Sequence, residues 1–217
     1  MNGMTPDSPP LDGWRVLVTR ARAQANQLSD ALRERGAEVI ELPAIEIVPA
    51  ATEPLDAAVA QLGTYDWIVF TSVNGVDAFV GRMAACGVPA DALNQIQVGV
   101  IGRGTERRLC EQGVEVDFVP EQFVAESVVE GLVARGVAAQ RVLLPRAEIA
   151  RDVLPDGLRA AGATVDVVTA YRTVLPNIVD DTVIDLLRAG VIDAATFASP
   201  STVRNVVALL GGPLPAS

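Results

Sequence analysis

Histidine and lysine are absent from the 217-residue sequence, so all 17 of its basic residues are arginine. The missing histidine excludes His-based nucleophilic triads and His-ligated metals. The missing lysine excludes Schiff-base chemistry and the phosphate-binding lysine of a P-loop. Any chemistry falls to hydroxyls, carboxylates, arginines and the backbone. Cysteine is scarce too. Cys86 and Cys110 stand far apart, each near the end of an expected helix and shortly before a glycine, which spells neither a disulfide framework nor a zinc site; both are expected as buried thiols. There is no Lys/Arg run, and a formal net charge of −10 with a pI near 4.5 argues against a nucleic-acid partner, which needs a basic face to displace counterions. No apolar run approaches the ~20 residues of a membrane span. The opening MNGMTPDSPPLD holds prolines but neither a basic segment nor an apolar core, so it reads as a disordered tail over residues 1–12 rather than a signal peptide or anchor. The expectation is a cytoplasmic monomer without nucleic-acid or membrane partners.

What is present is organised around Gly162–Pro176, GATVDVVTAYRTVLP, whose β-type residues continue for roughly ten positions, about twice the usual strand, before Pro176 stops the ladder. It reads as one strand crossing between two lobes. Gly36–Pro49, GAEVIELPAIEIVP, reads the same way, because Gly162 follows Gly36 by 126 residues (162 − 36). RVLLPRA from Arg141 repeats RVLVTRA from Arg15 at the same offset, and Phe197 repeats Phe70 at one residue more. Short apolar runs, WRVLVT, WIVF and QVGVI among them, alternate with helical patterns at 24–35, 54–62, 125–135 and 178–188. Val116–Val119 reads as a further short strand. That alternation predicts α/β architecture with parallel sheets covered on both faces. A duplication of this period means two similar domains rather than a solenoid. The second copy ends at Ser217 before two strand-helix units of the first find counterparts, so the C-terminal part reads as truncated and its lobe as marginally stable.

Ligands of doubly wound sheets sit at the carboxyl ends of the strands, where helix N-termini present free N–H groups. Four turns have suitable chemistry: Thr19-Arg20, Thr71-Ser72-Val73-Asn74-Gly75, Gly102-Arg103-Gly104-Thr105 and Ser199-Pro200-Ser201. Their hydroxyls are either ordinary N-caps, worth about 1 kcal/mol each, or together the lining of a pocket for an extended anion. Gly102-Arg103-Gly104 lacks the third glycine of a dinucleotide fingerprint, Arg107 standing in its place. Tyr171 is one of two tyrosines. It is either a strand aromatic packed on a domain face or a phenolic hydrogen-bond donor at a site. Arg20 and Arg146 hold equivalent places in the two copies, to clamp carboxylates or to pair with neighbouring acids.

The order and spacing of Thr19-Arg20, DWIVFTSVNGV, VGVIGRGT, RVLLPRAE, AYRT and FASPS make the chain resemble the uroporphyrinogen-III synthase family from RVLVTRA to FASPS. The resemblance implies two flavodoxin-like parallel-sheet lobes joined by a two-stranded β-ladder. Residues 13–42 with 174–217 would form a discontinuous first domain, incomplete at its C-terminus. Residues 43–49 and 169–173 would cross, and 50–168 would form the second domain. It also implies a cofactor-free cyclisation of hydroxymethylbilane with inversion of ring D, the substrate being handed over by hydroxymethylbilane synthase. Tyr171 would assist loss of the hydroxyl, while Arg20, Ser72, Val73, Asn74, Gly102, Thr105, Arg146, Ser199 and Ser201 would bind the carboxylate arms. The sequence departs from the family pattern in placing Glu106 after the threonine of the glycine turn and in stopping before a further glycine-threonine turn. A two-lobed tetrapyrrole-binding or regulatory module of the same fold, without the reaction, is the alternative.

Overall fold

The computed structural model describes residues 9–176 and 180–212, with side chains at all but positions 22–24, 200 and 201. In chain order the first elements are β1 (Arg15–Val18), α1 (Arg22–Arg33), β2 (Glu38–Glu41), β3 (Glu46–Pro49), α2 (Thr52–Ala60), β4 (Trp67–Phe70), α3 (Val73–Ala85) and β5 (Gln97–Val100). They are followed by α4 (Arg103–Cys110), α5 (Ala125–Ala134), β6 (Arg141–Ala147), α6 (Val153–Ala160), β7 (Thr164–Val174), α7 (Asp181–Arg188), β8 (Ala194–Thr196) and α8 (Pro200–Leu209). Two compact units result, Met1–Ile47 with Val174–Ser217, and Val48–Thr173.

The smaller unit is a parallel sheet in the order β2-β1-β8. Leu17 of β1 is buried with Val183, Ile184 and Leu187 of α7 and Val206 of α8. The helical spacing of those α7 residues is why this segment folds as a helix. Thr19, fully buried, donates to the carbonyl of Thr196 at 2.6 Å, which ties the end of β1 to β8. Gly36–Pro49 is not the single strand its composition suggested. It breaks between β2 and β3, because Pro43 has no N–H to give a ladder, while Leu42 and Ala44 turn their N–H groups to the carbonyls of Val18 and Thr19. Residues 9–12, expected in a disordered tail, form turns over the end of α1, with Leu11 N–H donating to Arg35 at 2.9 Å. The rest of that tail and the expected helix start at Ile178 lie outside the described residues.

The larger unit is built on a sheet in the order β3-β7-β6-β4-β5, with β4, β5, β6 and β7 parallel. The strand expected through Tyr171 runs 11 residues as β7. Val116–Val119 forms no strand; Phe118 makes only a bridge to Gly99. Period-two alternation sorts the strand residues between the two faces. Trp67, Val69, Val142, Leu144 and Val165 are buried together with Val128 and Leu132 of α5 and Leu154 and Leu158 of α6. On the opposite face Phe70 meets Phe79 of α3 edge-on, ring centroids 5.9 Å apart. Arg82 and Arg108 strap α3 to α2 and α4 through Asp56 and Asp77. Such part-exposed pairs add little stability. Cys86 and Cys110, expected to be buried, are both exposed: they fall past the last apolar positions of α3 and α4, at helix ends that face water.

Two glycines allow close approaches here, Gly131 of α5 against Phe118 and Gly157 of α6 against α5. A Cβ at Gly131 would lie 2.0 Å from the Phe118 ring, and one at Gly157 would lie 2.8 Å from Val129. Arg135 covers the Phe118 ring, 4.3 Å from its centroid. Replacing Gly131 by alanine gains about 1 kcal/mol of helix propensity. It overpacks a buried ring at a cost of roughly 1–3 kcal/mol. Overpacking wins, and Gly131→Ala lowers the Tm by a few degrees (~2–4 °C per kcal/mol at this size). A thermal melt showing an unchanged or higher Tm would contradict the close packing.

Candidate active site

At the carboxyl edge of the larger sheet, β4 leads through Thr71-Ser72 into α3. Ser72 is the N-cap, extended at φ −160°, and its Oγ accepts the Gly75 N–H at 3.1 Å. The first turn of α3 lies against β6: a Cβ at Gly75 would stand 3.2 Å from the Pro145 carbonyl oxygen and 3.3 Å from Ser72 Oγ. β6 separates β4 from β7, so seating this turn on β6 brings Ser72 within reach of β7. There its Oγ lies 3.0 Å from the Tyr171 hydroxyl. Tyr171 is 8% exposed.

Tyr171 reaches that face through an irregularity. β6 and β7 pair residue for residue up to Arg146 and Thr169, and then Ala147 pairs with Tyr171, leaving Ala170 as an inserted residue. Regular alternation would put Tyr171 on the face of Val165 and Val167, under α5 and α6. One inserted residue reverses the phase, so Ala170 and Tyr171 are buried in succession and the phenol turns toward α3.

Of the other residues singled out in the sequence, Val73 and Asn74 are half-buried in the first turn of α3. Gly102 is the N-cap of α4, after the neighbouring β5, and Thr105 is buried in that helix's first turn. The Phe123 ring covers Gly102, lying 3.6 Å from the position a Cβ would take, and is itself 56% exposed. Glu106 does not present a bare charge there, because Arg103 donates to both its oxygens at 3.1 and 2.9 Å. Arg146 holds the loop into α6, donating to the Arg151 carbonyl at 2.9 Å and to the Asp152 carboxylate. These groups share one edge of one sheet. Arg20, Ser199 and Ser201 belong to the smaller unit. No hydrogen bond or ion pair holds the half-buried Arg20 side chain among the described residues. Ser199 caps α8 by accepting the Thr202 N–H at 3.3 Å, and the Ser201 side chain lies outside the described residues. Sequence reasoning missed the Ala170 insertion and Asp152 as the partner of Arg146. A glycine in the first turn of a helix was the visible sign that α3 approaches β6.

The opposite edge of this sheet is chemically different. A cavity of about 440 Å³ opens at the amino ends of β4 and β5, lined by Asp66, Asn94, Glu115, Asp117, Gln140 and Tyr65 among others. Asp66 and Asp117 already accept the backbone N–H groups of Arg141 and Val98, both at 2.7 Å. Its carboxylates would repel an acidic ligand, whereas the carboxyl edge offers the positive ends of α3 and α4.

Two parallel α/β units, each with a serine-capped helix at the carboxyl end of a strand, define a protein of the doubly wound class. A family model described as uroporphyrinogen-III synthase HemD matches residues 26–215. The chain is 36% identical over 212 residues to uroporphyrinogen-III synthase of Synechococcus elongatus, covering 94% of this chain and 78% of that protein. It is 34% identical to the porphyrin biosynthesis protein HemD of Ruminiclostridium josui, covering 92% of this chain and 40% of that longer protein. A crystal structure of a mutant uroporphyrinogen III synthase of Thermus thermophilus shares the fold, with a TM-score of 0.62 at 20% identity over 90% of this chain and 76% of that one. The Helicobacter pylori enzyme's structure matches with a TM-score of 0.58 at 14% identity, over 90% and 78% of the two chains. The chain belongs to the uroporphyrinogen-III synthase family.

The amino edge yields a pH expectation. The Tyr65 phenol is held above its ordinary 10.0 by burial first, then by its hydrogen bond to Asp166, with Arg141 opposing. Because the unfolded chain ionises first, this tyrosine's contribution to stability is present below about pH 10 and is lost as pH rises through its folded value. In the Tyr171→Phe variant, whose only tyrosine is Tyr65, phenolate absorbance should rise above pH 10 and together with unfolding. A midpoint at or below 10 would contradict the raised value.

Proposed function

We propose that this chain is a uroporphyrinogen-III synthase, a lyase that cyclises hydroxymethylbilane with loss of water and inversion of ring D. The observation that carries the reading is the hydroxyl pair of Tyr171 and Ser72 at the N-terminus of α3, in a chain of this family. The pyrrole nitrogen's electron pair expels the hydroxymethyl oxygen, which leaves as water with a proton from Tyr171. The pyrrole N–H proton is released in its place, so that an azafulvene remains and the phenol is restored. The substituted carbon of ring D attacks that electrophile to give a spiro intermediate, which fragments and recloses with ring D reversed. The linear substrate can close unaided to the type I isomer, so the protein's share is mainly orientation. Backbone N–H groups at the starts of α3 and α4, with Val73, Asn74, Gly102 and Thr105, hold acetate and propionate arms, and Arg146 fixes the adjoining loop. In the smaller unit, Arg20 and the Ser199-Pro200-Ser201 turn offer the same chemistry. The reaction needs no cofactor, and the protein works as a cytoplasmic monomer that receives its substrate from hydroxymethylbilane synthase.

Freshly generated hydroxymethylbilane should yield type III porphyrin, after oxidation and separation of isomers, well above the enzyme-free control. Type I product alone would refute the reading and leave a non-catalytic binding module. Tyr171→Phe should lower kcat by roughly a hundredfold, the scale of one positioned proton donor, with the Tm unchanged. Unaltered turnover would remove Tyr171 from the reaction.

A further inference from the structure

A 3.0 Å contact between two hydroxyls leaves the direction of the proton undecided by distance, and the two directions assign Ser72 different jobs. If Tyr171 donates to Ser72, its only proton is spent inside the protein, and the serine proton is left to reach a substrate arm. If Ser72 donates to Tyr171, the phenolic proton stays available for a leaving oxygen. Ser72 Oγ accepts the Gly75 N–H at 3.1 Å, at the positive end of a 13-residue helix with no acidic residue in its first turn. Accepting from that N–H uses acceptor capacity of Ser72 Oγ and polarises its O–H, which favours the serine as donor in opposition to the phenol's greater intrinsic acidity. A Cβ at Gly75 would stand 3.2 Å from the Pro145 carbonyl oxygen, so this turn sits close on β6 while its Gly75 N–H holds the serine. The phenol, 8% exposed, has no other side-chain partner among the described residues.

We propose that Ser72 is a positioning residue that works through Tyr171: a chain of donors runs from Gly75 N–H to Ser72 Oγ–H to the Tyr171 hydroxyl and on to the oxygen that departs as water. This rests on the synthase reading and deepens it, taking Ser72 out of the set that binds carboxylate arms. The substrate's hydroxymethyl oxygen accepts from the phenol, the serine supports the charge that gathers on the phenolic oxygen, and neither residue becomes covalently attached.

Two measurements test it, one of them independent of activity. In a Tyr65→Phe background the tyrosine Raman doublet arises from Tyr171 alone, and its intensity ratio distinguishes a phenol that accepts from one that donates. Adding Ser72→Ala should shift the ratio toward donor character, because an accepted bond is lost; a shift toward acceptor character would overturn the proposal even if the protein made no type III product. In turnover, Ser72→Ala should lower kcat about tenfold, the equivalent of one hydrogen bond, with KM unchanged. Ser72→Thr, which keeps both hydroxyl and cap, should restore most of the rate. In the Tyr171→Phe background Ser72→Ala should cost no further rate. A raised KM, or losses that multiply in the double variant, would instead make Ser72 a contact of the substrate. Type I product alone from the unaltered chain would sink the parent reading and leave the Raman result to decide the hydroxyl direction. Thermal melts separate any cap loss from these effects.

Discussion

At position 75 a methyl group would meet the Pro145 carbonyl oxygen and the Ser72 hydroxyl, both within 3.3 Å. Its absence lets the first turn of α3 rest on β6, the strand between β4 and β7. The carboxyl edge depends on that seat. It brings a serine at the end of one strand to a tyrosine two strands away, and it directs a helix N-terminus at the pair. The same helix buries Val76, Phe79 and Met83 on the sheet. Core packing and site geometry are therefore set by one rigid element, and a change that lifts α3 is felt by both.

The carboxylates of the larger unit are distributed unevenly between the two edges of its sheet. In the larger unit the cavity at the amino ends of the strands carries Asp66, Glu115 and Asp117, two of them engaged with backbone N–H groups. At the carboxyl edge the acid nearest the glycine turn, Glu106, is covered by Arg103, and Arg146 is balanced by Asp152. Glu148, whose N–H donates to the Tyr171 carbonyl, stays exposed with no ion pair among the described residues, so the partial positive charge of two helix starts acts there beside one open carboxylate. The net charge of −10 thus says little about the local potential, which is what a ligand meets.

Much of this was legible in the residues. The length of β7, the duplication that links RVLVTRA to RVLLPRA, and the hydroxyl-bearing turns after β4 and β5 all follow from local composition, because strand and cap preferences act over a few residues. Pro43 was equally visible in Gly36–Pro49, and its missing N–H breaks a ladder whatever β-type residues flank it. Asp117 and Phe118 looked like strand residues. Pairing needs a neighbour in register, and Phe118 finds only a single bridge to Gly99. Cys86 and Cys110 were expected inside on the strength of residue type alone, which ignores which face of its helix a residue occupies. The Ser72–Tyr171 contact spans 99 residues of sequence. It depends on strand order and helix seating, which no local pattern encodes.

The inserted Ala170 has a consequence of another kind. A side chain's identity is changed by substitution, but the direction in which Tyr171 points is set by how many residues precede it along β7. Its placement is stored as a count rather than as a choice of amino acid. Lineages that exchange every neighbour of this tyrosine can keep the phenol where it is, whereas the gain or loss of a single codon just upstream would turn it to the other side of the sheet with its own codon untouched. Comparison among relatives should therefore weigh gaps in this strand more heavily than mismatches.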